Sequence, residues 1–382
     1  MDSPIDEKMN EKIDELNNKK ESFSLGHYKN INIEVHFSWF FVVILLTYSL
    51  ATAFFPLYFQ NFTKAEYWII SVIAALLLFL SIFLHELSHS LTALKNKIPI
   101  DKITLFFFGG VSSMDDSNIT PNKEFKIAVA GPLFSFILAV LFYGISIYFT
   151  NKYVYAISFY LTRLNLMIAL FNLVPGYPLD GGRIFRAIVW KITKDMRKAT
   201  KYAATAGKLF AWTLIFLGVF IIISTNNFSG LWYIVLGLFL VYLANASYQQ
   251  VVLRDILSKV NIEEIITKEI TPINYELSLR ELAAKFTSSA QRCFLVNKND
   301  RLVGFVQSEF LKRIPEYKWD VARAEEIAVN IDFIKIQLGT PLHRILGYML
   351  FRNLEYILVV DKTKVLGIVE REKLMNIIKI NG

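Results

Sequence analysis

Residues 67–94 read YWIISVIAALLLFLSIFLHELSHSLTAL, an unbroken apolar run with two histidines and a glutamate set into it at His85, Glu86 and His89. A helix needs about 20 apolar residues to cross the hydrocarbon of a bilayer. Ionisable groups at that depth are costly enough that they mark function or face a polar cavity. The segment therefore implies a membrane protein whose chemistry lies within the membrane. His85 and His89, four apart, share one helix face and can hold a single Zn²⁺, while Glu86 beside them can reach a zinc-bound water as general base. The plainer alternative is a helix end whose histidines meet lipid headgroups. It leaves unexplained the turns of helix that still separate His85 from Leu94.

The whole chain has the composition this segment implies. Of 382 residues, 54% are hydrophobic and 19% charged, too apolar for an ordinary soluble domain or a disordered chain. Apolar windows centre on residues 37–59, 67–94, 125–149, 156–175, 205–224 and 230–250, which gives six spans. The formal charge of +8 arises in the apolar middle, where residues 37–259 carry 18 Lys+Arg against 9 acids. Basic loops beside spans account for this excess, and no nucleic acid is needed as a partner. Lys and Arg are dense before the first span, between the second and third, and between the fourth and fifth, so both termini are expected to be cytoplasmic. The second and fourth spans then run in the same direction. Met1 to Glu34 is polar and acidic, so no signal peptide is expected there, and Met1 to Glu21 reads as a short amphipathic helix or disorder. The one cysteine, Cys293, excludes a disulfide framework and a Cys-cluster metal site and reads as a small core residue.

A catalytic zinc needs a third protein ligand and an open position. His27, His36 and His343 lie before the first span, at its start and in the tail, and none is well placed. Asp180 follows the fourth span in Phe171-Asn172-Leu173-Val174-Pro175-Gly176-Tyr177-Pro178-Leu179-Asp180-Gly181-Gly182-Arg183, where prolines and glycines end the helix. Broken backbone at membrane depth is tolerated only when buried in protein or lining a wet cavity. Such a break lets a short carboxylate turn toward a neighbouring helix. On this segment alone, a simple helix terminus at the interface fits equally.

These residues together resemble the site-2 protease family of intramembrane zinc metalloproteases, in its prokaryotic branch with a C-terminal pair of CBS domains. Besides H-E-x-x-H, Val35-His36-Phe37-Ser38 is similar to the family's entry to the first span, and Phe108-Gly109-Gly110-Val111 to its glycine hairpin. Ala130-Gly131-Pro132-Leu133-Phe134-Ser135 resembles the motif of its third span, and Asn165 through Arg183 its N-x-x-P-x-x-P-L-D-G-G block. The resemblance implies a polytopic α-helical membrane protein with a cytoplasmic α/β CBS pair. It implies His85, His89 and Asp180 as ligands of one zinc, Glu86 as catalytic acid/base, and Asn172 at the family's asparagine. The activity implied is hydrolysis of membrane-tethered protein substrates within the bilayer, as the second cut of regulated intramembrane proteolysis in a plasma membrane. Phe106 to Met114 reads equally as an apolar linker between the second and third spans or as a hairpin, turned at Gly109-Gly110, that enters the membrane and offers an edge strand to an unwound substrate.

The tail is an internal repeat. Residues 278–311 and 341–374 align without a gap at an offset of 63, and each copy reads as a helix, two strands joined by a polar turn, and a second helix. The expected organisation is thus an N-terminal cytoplasmic segment 1–36, a metalloprotease domain 37–255, and tandem CBS domains over 262–382, about 262–315 and 327–382. The CBS resemblance implies an adenine nucleotide between the copies and a homodimer through them. Where nucleotide-binding members place an Asp after the second strand, this chain has Phe310 and Lys373. The rival functions are a CBS-regulated transporter with His85, His89 and Asp180 as an ion relay, and an inactive relative that only binds membrane helices.

Overall fold

The chain is described from a computed structural model at residues 22–28, 31–106, 109–114, 119–225, 228–268, 272–289, 291–299, 301–330, 334–362 and 364–381. The N-terminal stretch Met1 to Glu21 lies outside these residues. Among the described residues, six helices are long and apolar enough to cross a membrane: α1 (Ser38–Tyr58), α2 (Lys64–Lys95), α3 (Pro121–Tyr148), α4 (Lys152–Asn172), and, after the shorter α5 (Asp180–Thr193), α6 (Met196–Thr225) and α7 (Gly230–Ser258). Each expected window falls on one of them. The protein is a polytopic helical membrane protein, and large side chains such as Phe41, Ile44, Leu209, Phe216 and Ile223 face outward. Trp68 and Trp232 are exposed. Trp39 packs edge-on against Phe79 of α2, with ring centroids 5.2 Å apart.

Helix α2 opens with a capping box, Thr63 and Glu66 each accepting the other's backbone N–H. The Glu66 carboxylate also accepts from Lys152 Nζ at 3.0 Å and from the Tyr153 hydroxyl, tying the start of α2 to the start of α4. About 20 Å further along both helices, Asn165 Nδ2 donates to Ser81 Oγ at 3.3 Å. The two helices therefore run parallel, as the charge pattern implied. Apolar packing of Ile70, Ala74, Leu78, Tyr160 and Leu161 fills the space between these polar ties.

Four strands, β1 (Ser22–Tyr28), β2 (Ile31–His36), β3 (Ile100–Phe106) and β4 (Gly109–Met114), form one sheet in that order, with β2 and β3 parallel and the outer pairs antiparallel. The hairpin expected at Gly109-Gly110 exists but is shifted. Both glycines lie in strand β4, paired with Phe106 and Leu105, so β3 begins well before the expected stretch. A sheet edge of 6 or 7 residues per strand leaves little pattern beside the much longer apolar spans. Ile31, Ile100 and Ile103 bury the sheet against Ala93, Ile98 and Ile127, placing it beside the histidine-bearing end of α2.

Backbone packing divides the chain between Gln249 and Gln250, within α7. The C-terminal unit has the α/β make-up and the two-copy organisation expected of it. Strands β5 (Pro272–Asn274), β6 (Cys293–Lys298), β7 (Arg301–Gln307) and β8 (Val329–Asn330) form one sheet. Strands β9 (Lys335–Gln337), β10 (Tyr356–Asp361) and β11 (Lys364–Glu370) form the second. The two copies share register, with Pro272 against Leu295 and Lys335 against Leu358. They also exchange strand segments, since Val329, near the start of the second copy, pairs with Phe305 of the first, and Thr267, near the start of the first, pairs with Ile368 of the second. One core therefore joins Leu282, Phe294 and Phe305 to Leu358, Val360 and Ile368. Phe310 is buried in that core, and Lys373 donates to Thr267 Oγ1 at 2.7 Å.

Cys293 is 3% exposed, as expected of a core residue, and burial first, with the charge of Glu370 adding to it, pushes its thiol up to about 12. The thiolate, the reactive species, is thus almost absent at neutral pH. Native protein is expected to resist a thiol reagent such as DTNB at about pH 8 and to react after denaturation. Rapid labelling of folded protein would contradict the burial of this strand.

Candidate metal centre

Helix α2 presents His85 and His89 on one face, 4% and 3% exposed. Each ring is held through its Nδ1. That of His89 donates to the Ile127 carbonyl at 2.6 Å, and that of His85 lies 2.8 Å from Ser135 Oγ. A carbonyl only accepts, so Nδ1 of His89 carries a proton and Nε2 is left to face the other two groups. Both Nε2 atoms turn to one point, 3.3 Å apart, and Asp180 Oδ2 completes the triangle at 3.2 Å from each. Within the described residues this is the one group of three or more His, Cys, Asp or Glu whose ligand atoms converge in this way.

The donor set fits zinc. Imidazole nitrogens and a carboxylate oxygen are its ordinary ligands, and three corners of a tetrahedron with arms of about 2.0–2.1 Å lie about 3.3 Å apart. Three such donor atoms this close need a positive charge among them, and a cation bound by all three supplies it. Both histidines also keep a partner on the far nitrogen, the usual support of a metal-bound imidazole.

Close backbone contacts hold this geometry. A Cβ on Gly131 of α3 would sit 2.2 Å from His89 Nε2 and 2.6 Å from His85 Nε2, so only glycine lets α3 approach the rings. Ahead of α5, Gly176 meets the backbone of Gly207 in α6, Gly182 meets that of Gly176, and Gly181 meets that of Leu173 and Val174. The broken segment after α4 is thereby packed against protein, which is the condition for irregular backbone at membrane depth. Asp180 opens α5 and turns its side chain to the histidines.

Glu86 is part-buried one residue along from His85 and within electrostatic reach of His85, Asp180 and Arg183. Strand β4 lies directly against it, since a Cβ on Gly110 would fall 2.4 Å from Glu86 Cγ. Asn172, at the end of α4, is half-buried and makes no side-chain hydrogen bond among the described residues. The buried asparagine of α4 is Asn165, bound to Ser81. His36 stands apart from the centre, its Nδ1 2.8 Å from Ser38 Oγ at the start of α1. Sequence reasoning missed Ser135 and the Ile127 carbonyl. The spacing of Gly131 and Ser135 along one helix face was the available signal, whereas a carbonyl leaves none.

A model of peptidase family M50 matches residues 73–154 and 149–216, which include both histidines, Glu86 and Asp180. The protein sll0528 of Synechocystis sp., whose name assigns it provisionally to the zinc metalloproteases, is 30% identical over 94% of this chain and 96% of its own length. Zinc metalloprotease MJ0392 of Methanocaldococcus jannaschii is 32% identical over 75% of this chain and 78% of its own. The solved site-2 protease from Methanocaldococcus jannaschii is 31% identical, aligning over 59% of this chain and 95% of that one with a TM-score of 0.40.

Gly131→Ala is expected to lower zinc retention about tenfold or more, because its methyl group displaces both rings. Metal analysis after dialysis measures this, and a variant with wild-type zinc content would contradict the packing described.

Proposed function

The chain belongs to peptidase family M50, the site-2 proteases, and on that premise we propose that this zinc metalloprotease cleaves membrane-tethered proteins within the bilayer, using one zinc held by His85, His89 and Asp180. The observation that carries the reading is the convergence of two imidazole lone pairs and a carboxylate oxygen inside a bundle of apolar helices, with Glu86 alongside. When bound, zinc supplies Lewis acidity, lowering the pKa of water toward neutrality and polarising the scissile carbonyl. Glu86 takes the proton of the attacking water and returns it to the leaving amine. Ser135 and the Ile127 carbonyl keep the imidazoles in orientation through both transfers.

A substrate helix hides its carbonyl carbons, so cleavage requires local unwinding. Strand β4, at the sheet edge and against Glu86, offers backbone donors and acceptors to an extended segment beside the proton-transferring carboxylate. Its contact with Glu86 supports the edge-strand role first read from the glycine pair. The fitting role is the second cut of regulated intramembrane proteolysis, releasing a cytosolic factor. The pattern of Lys and Arg supports a multi-pass plasma-membrane protein with both termini cytoplasmic.

The C-terminal pair, which follows the sixth span α7 in the chain, is the proposed regulatory element, and a homodimer through it is part of the same proposal. An adenine nucleotide there lacks its usual ribose-binding carboxylate, since Phe310 is core and Lys373 is bonded to Thr267. Any nucleotide would therefore be held by other groups.

The test is reconstitution in liposomes with a single-span substrate. Glu86→Gln is expected to lower the cleavage rate by about 10²–10⁴-fold while leaving zinc content unchanged, and a chelator is expected to abolish cleavage until zinc is restored. Undiminished cleavage by Glu86→Gln or in the chelated protein would contradict the proposal.

A further inference from the structure

Helix α3 touches the candidate centre along a single face. Residues Glu124, Ile127, Gly131 and Ser135 follow at spacings of 3 or 4, the period of one helix stripe. Three of them act on the histidines, through the Ile127 carbonyl, the Gly131 backbone and Ser135 Oγ. The fourth, Glu124, is 0% exposed and accepts at Oε1 from Arg186 Nε at 2.7 Å, with Arg186 Nη2 donating to the same oxygen. Arg186 is 6% exposed and lies in α5, the helix that Asp180 opens. Its guanidinium also lies 5.0 Å from the ring centroid of Tyr177, in the segment leading to Asp180.

We infer that Glu124 and Arg186 are positioning residues for the zinc centre. Through them, the α3 face that orients both imidazoles also fixes the approach of the Asp180 carboxylate. The inference rests on the zinc reading above. Stability is a poor alternative reason for the pair, because apolar residues of similar volume commonly replace a buried ion pair without loss. Glu124 Oε2, moreover, accepts no hydrogen bond among the described residues, leaving the desolvation of the carboxylate incompletely offset. What apolar packing cannot supply is direction, which two charge-assisted bonds to one oxygen provide.

The test measures zinc affinity of the full-length protein in detergent by competition with a chromophoric chelator, alongside the thermal midpoint of the same samples. Glu124→Gln, which keeps size and removes charge, is expected to weaken zinc binding about tenfold or more. The double variant Glu124→Met with Arg186→Met is expected to bind zinc as weakly while melting within a few degrees of wild type. Wild-type affinity in either variant overturns the inference, as does a loss of zinc that merely tracks a lower melting temperature. A wild-type protein that binds no zinc overturns instead the reading of His85, His89 and Asp180 on which this one stands.

Discussion

Two imidazole nitrogens and one carboxylate oxygen lie within 3.3 Å of one another in the interior of an apolar bundle. Lone pairs this close need a positive charge among them, a proton or a metal ion, and burial in low dielectric raises the cost of leaving them without one. The rest of the membrane unit can be read as what is required to bring these atoms together from separate segments. Parallel α2 and α4 bring the histidines and the segment leading to Asp180 to the same end. Polar ties at Glu66–Lys152 and Ser81–Asn165 hold that alignment along the helices.

The final approach is set by backbone contact rather than by long side chains. Glycines at 131, 176, 181, 182 and 207 let helices and the broken segment meet where a methyl group would collide. Precision of this kind suits a metal site, where ligands must be held to a fraction of an ångström before the metal arrives. The placement of Glu86 follows from the same economy of space, since the sheet that buries the end of α2 sets β4 against it through Gly110.

Much of this was legible in the sequence, for identifiable reasons. The six spans stood out because bilayer thickness imposes a length that few other structures share. His85, Glu86 and His89 stood out because the helix period makes their spacing chemical. The C-terminal repeat was visible as an offset of 63, and the structure repeats it in register. Strands β1 to β4 were mostly hidden, and the hairpin was misplaced, because a strand of 6 or 7 residues carries little pattern beside spans of 21 to 32. Helix α5 was absent from the sequence reading too, since glycines and prolines dominate its approach. Contacts such as His89 to the Ile127 carbonyl depend on backbone position and leave no residue-type signature.

The central claim concerns one metal and its ligands, and zinc-edge X-ray absorption of the protein purified without added metal tests it most directly. The expected spectrum is one zinc per chain in a shell of nitrogen and oxygen at about 2.0–2.1 Å, with the outer-ring scattering of two imidazoles and without sulfur. Zinc with a sulfur neighbour, or with no imidazole signal, would contradict the account.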